Sequence, residues 1–66
     1  NARTAWINQQ LPEHLREVFW LRIIEEFSTK EVAAIVQVPE GTVKSRLSKA
    51  IQLVQNIYEK KSKHYA

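Results

Sequence analysis

Between Pro39 and Tyr58 seven apolar residues, Val43, Leu47, Ala50, Ile51, Val54, Ile57 and Tyr58, fall in steps of three, four and one. Such steps draw one stripe down an α-helix. With Val43 at zero and about 100° per residue, the stripe centres at about 30°. The opposite face, at about 210°, carries Thr42, Ser45, Ser48, Lys49 and Gln52, with Lys44 and Arg46 on the two shoulders. No carboxylate lies between Glu40 and Glu59. A helix that hides one face and offers small hydroxyls, an amide and cations on the other suits a polyanion with readable edges. The expectation is a DNA recognition helix.

Three shorter periodic segments precede it. Residues 2–9 are predicted to form a helix with Ala2, Ala5, Trp6 and Gln9 on one side. A second helix is expected over 12–26, with Pro12 in its first turn, where a missing N–H costs nothing, and Glu13 favoured by the helix dipole. Leu15, Val18, Phe19 and Ile23 share its core face, with Leu21 at the edge. Trp20 and Ile24, four apart, point away from that face. Either helix one covers them or they form a partner-binding patch.

Ser28-Thr29-Lys30-Glu31 has the spacing of a capping box and opens a third helix, 29–36, with Val32, Ala33, Ile35 and Val36 inward. Gln37-Val38-Pro39 is a tight connection: Val38 can plug the corner, and Pro39 ends one helix and suits the start of the next. The fourth helix, 40–58, is the one described first, and a fraying basic tail, 59–66, follows it. Strand signals are absent: there is no sustained alternation and no Asn-Gly or Asp-Gly turn. The fold class is all-α, a small bundle of about four helices in a single domain, containing a helix-turn-helix.

Composition narrows the function. At 66 residues the chain buries only about 60% of its unfolded surface. It has no cysteine, which excludes disulfides and zinc fingers and fits a cytoplasmic protein. No apolar run approaches the roughly 20 residues of a membrane span, and no signal peptide is evident. A start at Asn1 without methionine fits a fragment of something longer.

The net charge of +3 is unevenly spread. Residues 1–40 carry four cations against six glutamates, whereas residues 41–66 carry six cations against Glu59 alone. Basic charge on one terminal element is a nucleic-acid footprint, and equally the mark of a solvated lysine-rich helix. His14 and His64 form no nucleophile or metal constellation, and His14 reads as a surface residue of a first turn. No enzyme, cofactor or metal is expected.

Leu11-Pro12, Arg16-Glu17-Val18-Phe19, Leu21-Arg22, Phe27-Ser28, Glu31-Val32-Ala33, the run Gly41-Thr42-Val43-Lys44-Ser45-Arg46-Leu47, and Ala50 together resemble region 4 of bacterial sigma-70 family sigma factors, closest to the extracytoplasmic-function (ECF) group. The resemblance covers residues 11–53, and GTVKSRL is its most specific part. It implies a winged-helix-like helix-turn-helix domain that reads the minus-35 promoter element in the major groove. It further implies docking on the β-subunit flap of RNA polymerase and sequestration by an anti-sigma factor. By position, Lys44, Ser45, Ser48 and Lys49 match base- and backbone-contacting residues, and Thr42 and Arg46 match positions at or beside phosphates.

Three departures stand out. The family often has glycine where Gln37 stands, and a positive φ there would cost glutamine about 1 kcal/mol. Ser48 replaces larger or charged residues, so promoter preference does not transfer. Asn8 takes a position that is usually apolar.

Chemistry supports the same roles. Lys44 and Lys49 can donate to guanine O6 or N7, and Ser45 and Ser48 can reach base edges. Thr42 and Arg46 are placed to fix register on phosphates, although Arg46 could instead pair with Glu25 or Glu26. Two rivals remain: an output domain of the LuxR type, which shares a TVK motif, and a protein-interaction module that uses Trp20 and Ile24 without touching DNA.

Overall fold

The computed structural model describes the backbone of residues 2–65 and the side chains of residues 6–59. Four α-helices follow in order: α1 (Ala2–Gln9), α2 (Glu13–Phe19), α3 (Thr29–Val36) and α4 (Glu40–Tyr65). Trp20–Ile24 continues α2 as a π-helical turn. No strand occurs among the described residues.

Pro12 caps α2 rather than entering it, at φ −56° and ψ 151°, and its carbonyl accepts the amides of Leu15 and Arg16 at 3.0 and 2.9 Å. The wider π turn shows in the Glu25 amide, which donates to the Trp20 carbonyl at 3.0 Å, five residues back. Glu26 then adopts the left-handed conformation at φ 61°, and the Phe27 amide closes onto the Leu21 carbonyl at 3.0 Å. This reversal changes which residues reach the core. Leu21 and Phe27 pack against Val18, Val32 and Val43, and Ile23, expected inside, is 43% exposed.

Two clusters make the core. Leu11, Leu15, Phe19 and Ala50 pack with Leu53 and Val54 beside them. Val18, Val32 and Val43 form the second, ringed by Leu21, Phe27, Ala33, Val36 and Val38, and Leu47 touches both. Val38 thus fills the corner as its position suggested. On α3 the buried arc is Val32, Ala33 and Val36; Ile35, about 100° away from it, is 49% exposed.

On α4 the buried stripe is turned by roughly 40° from the one drawn by those seven apolar residues, which left out Leu53. Leu53 joins the core, whereas Ile51 and Tyr58 stay 39% and 48% exposed. The helix also runs on to Tyr65, past the end expected near residue 58. No proline or glycine follows Gly41 to stop it, and C-terminal lysines suit the negative end of the dipole.

In α1 the inward residue is Ile7, and Trp6 is exposed; the side chains of Ala2 and Ala5 lie outside the described residues. α1 packs chiefly on α2, and Trp20 and Ile24 are half-buried without joining either core cluster.

Candidate nucleic-acid interface

The candidate interface is built from α3, the corner and α4. The capping box sets the start of α3: the Glu31 amide donates to Ser28 Oγ at 3.1 Å, and the Ser28 amide donates to Glu31 Oε1 at 2.9 Å. The Ser28 backbone bond, and then its side-chain bond, hold the Glu31 carboxyl below the usual glutamate range. At the other end of α3, Gln37 is left-handed, at φ 58° and ψ 49°. The Val38 amide reaches back to the Ala33 carbonyl at 3.1 Å, closing the helix in the manner glycine usually serves. The positive φ suggested by the family's glycine is therefore present, with glutamine in it.

Pro39 then accepts the amides of Thr42 and Val43 at 3.0 and 3.2 Å, which leaves the Glu40 and Gly41 amides at the open start of α4. Gly41 does not have a positive φ, and a Cβ built on it would meet nothing within 4 Å. Neither the turn nor internal packing requires glycine here.

With Val43 and Ala50 buried, Ser45, Ser48, Lys49 and Gln52 are exposed together along one face of α4. Thr42 stands half-buried at its edge, and Lys44 is exposed on one shoulder. Arg46 is half-buried on the other shoulder and, among the described residues, makes no ion pair with Glu25 or Glu26. That leaves its charge available to a phosphate. Trp20 and Ile24 lie on the π turn, off this face, and the Trp20 indole N–H donates to Glu25 Oε1 at 3.2 Å.

Among the described residues no group of His, Asp, Glu or Cys could hold a metal ion, and no helix is long and apolar enough to cross a membrane. The sequence did not single out Asn56 or His14 for this region. Asn56 continues the Lys49–Gln52 face, and His14 enters it only because α2 packs along α4.

The family described as "Sigma-70, region 4" matches residues 9–54. The chain is similar to the RNA polymerase sigma-H factor of Pseudomonas aeruginosa, 44% identical over 46 residues, which cover 70% of this chain and 24% of that protein. It is also similar to the ECF RNA polymerase sigma-E factor of Escherichia coli, 42% identical over 48 residues, covering 73% of this chain and 25% of the relative. The sigma-E factor of Salmonella typhimurium matches to the same extent. The chain thus spans about a quarter of the length of the curated relatives it matches. No solved structure matches it.

Proposed function

This chain belongs to the sigma-70 region 4 family, in its ECF group, and on that premise we propose that α4 reads the minus-35 element of promoter DNA during transcription initiation. Region 4 is a DNA-binding regulatory domain, not an enzyme, and membership sets aside the LuxR-type output domain. The observation that carries the reading is the open face of Ser45, Ser48 and Lys49, with bare Gly41 at its start. A glycine in mid-helix costs about 0.5–1 kcal/mol relative to alanine and less in a first turn, and here nothing within the chain calls for it. A DNA backbone laid against the start of α4 would call for it, because free amides and the helix dipole favour a phosphate there.

In this reading Lys44, Ser45, Ser48 and Lys49 contact base edges and nearby backbone, while Thr42 and Arg46 set register on phosphates. RNA polymerase core, through the β-subunit flap, is the second partner, and an anti-sigma factor the third; Trp20 and Ile24 are the candidate protein-binding residues. The work is cytoplasmic, where promoter and polymerase are.

The test is fluorescence anisotropy with duplexes that carry or lack a minus-35 element, across a salt series. Specific binding whose log affinity falls linearly with log salt supports the reading. Salt-insensitive or absent duplex binding defeats it and leaves the protein-interaction module.

A further inference from the structure

We propose that the cleft between the start of α2 and the middle of α4 seats one sugar–phosphate unit of the duplex that α4 reads, making His14, Gln52 and Asn56 further DNA contacts. This rests on the promoter-binding reading above. The cleft holds about 320 Å³. Its lining is apolar at Pro12, Leu15 and Leu53 and polar at His14, Lys49, Gln52 and Asn56.

Two observations choose the occupant. The first is charge: the lining holds a lysine, a histidine and two neutral amides and no carboxylate, although Glu13 adjoins His14 in the chain. The second is continuity, because Lys49 belongs both to the reading face and to the cleft. At 26 residues, α4 is about 39 Å long, against a major groove about 12 Å wide. If α4 enters the groove by its start, as the free amides there favour, its later turns, which carry Gln52 and Asn56, pass out over the rim phosphates. A deoxyribose ring offers an apolar face to Pro12, Leu15 and Leu53 while its phosphate oxygens accept from the amides and the imidazole N–H. Asparagine and glutamine are common donors to phosphate and sugar, which take half to two-thirds of protein–DNA hydrogen bonds.

The test compares neighbouring exposed positions on α4. Asn56 and Gln55 are consecutive, yet about 100° apart around the helix, and only Asn56 lines the cleft. Asn56→Glu should weaken binding to a promoter duplex roughly three- to tenfold and to the same degree on a scrambled duplex, since a backbone contact carries no sequence information. Gln55→Glu, with the same charge change, should stay within about twofold. His14→Glu, on the opposite wall, should repeat the Asn56→Glu loss without harming α2, because an acid in a first turn suits the dipole. Equal losses at positions 55 and 56, or none at 56 and 14, overturn the cleft while leaving the promoter reading intact. A wild-type chain that binds no duplex overturns the promoter reading first, and the cleft with it.

Discussion

The Val38 amide donates to the Ala33 carbonyl at 3.1 Å across a left-handed Gln37, and this closure fixes the angle at which α4 leaves α3. The geometry is glycine's, so Gln37→Gly should stabilise the domain by about 1 kcal/mol, offset in part by the greater freedom of glycine in the unfolded chain. A β-branched residue is worse suited to positive φ than glutamine, so Gln37→Val should destabilise by a similar amount. Urea unfolding of the two variants checks both signs. Equal midpoints would mean that the corner adopts another conformation in solution.

Gly41 should show the opposite trade between stability and binding. Space for a Cβ is open and the backbone is helical, so Gly41→Ala should raise stability, by less than the roughly 0.5–1 kcal/mol of a mid-helix position because Gly41 is in the first turn. If a phosphate approaches the start of α4, the same methyl group should weaken duplex binding. Thermal unfolding and anisotropy on one sample separate the two effects. Gain in stability with unchanged affinity would remove the argument from Gly41.

The capping box predicts a pH dependence. The Glu31 carboxyl titrates below its ordinary value of 4.5, because the Ser28 amide and hydroxyl favour the charged form. A carboxyl depressed by folding adds stability above the unfolded value, and that stability is lost as pH falls through the folded one. Glu31→Gln should keep the reciprocal geometry and flatten this acid limb of the stability curve. Ser28→Ala should cost about 1 kcal/mol at neutral pH. Unfolding midpoints between neutral pH and the acid limb would test both, and a Glu31→Gln curve parallel to wild type would refute the linkage.

Asn8 is the weak point of the α1 packing. Its Oδ1 is buried with no hydrogen-bond partner, and Arg22 Nε is in the same condition. An orphaned buried acceptor costs about 1–3 kcal/mol, and an apolar residue of similar shape removes that penalty. Asn8→Leu should therefore stabilise the domain by roughly 1 kcal/mol, read by denaturant midpoint. A destabilised variant would show that the amide is satisfied in solution.

The parts legible in the sequence are those fixed locally. Ser28 and Glu31 specify a helix start by spacing alone, and Val38-Pro39 specifies a corner, so α3 and the beginning of α4 follow from a few adjacent residues. The turned stripe of α4 does not. Leu53, Ile51 and Tyr58 are all apolar, and only the position of α2 decides that Leu53 is buried and the other two are not. Ile23 and Ile35 fail for the same reason, being apolar residues on arcs that no other element covers. The π turn leaves no local mark either. On the exposed face of α4, hydroxyls and cations facing away from a stripe are readable, so the common exposure of Ser45, Ser48 and Lys49 needs no tertiary information. His14 comes to line the same cleft as Lys49 only through the packing of α2 on α4, and periodicity within one helix does not carry that.

Lys49 and Arg46 should separate base reading from register. Lys49 is exposed on the open face, within reach of guanine O6 and N7 if α4 lies in the major groove. Lys49→Ala should cost about 1–3 kcal/mol on the preferred duplex and relax preference at one position of the minus-35 element. Arg46 is half-buried on the shoulder without a carboxylate partner among the described residues, which suits a phosphate at the groove edge. Arg46→Ala should weaken all duplexes alike and reduce the log–log salt slope by about one. Anisotropy over a set of single-base variants at three salt concentrations reads both signatures. A uniform loss for Lys49→Ala would make it a backbone contact, and specificity would then have to come from Lys44, Ser45 and Ser48. A base-dependent loss for Arg46→Ala would place α4 about its axis with that shoulder turned into the groove.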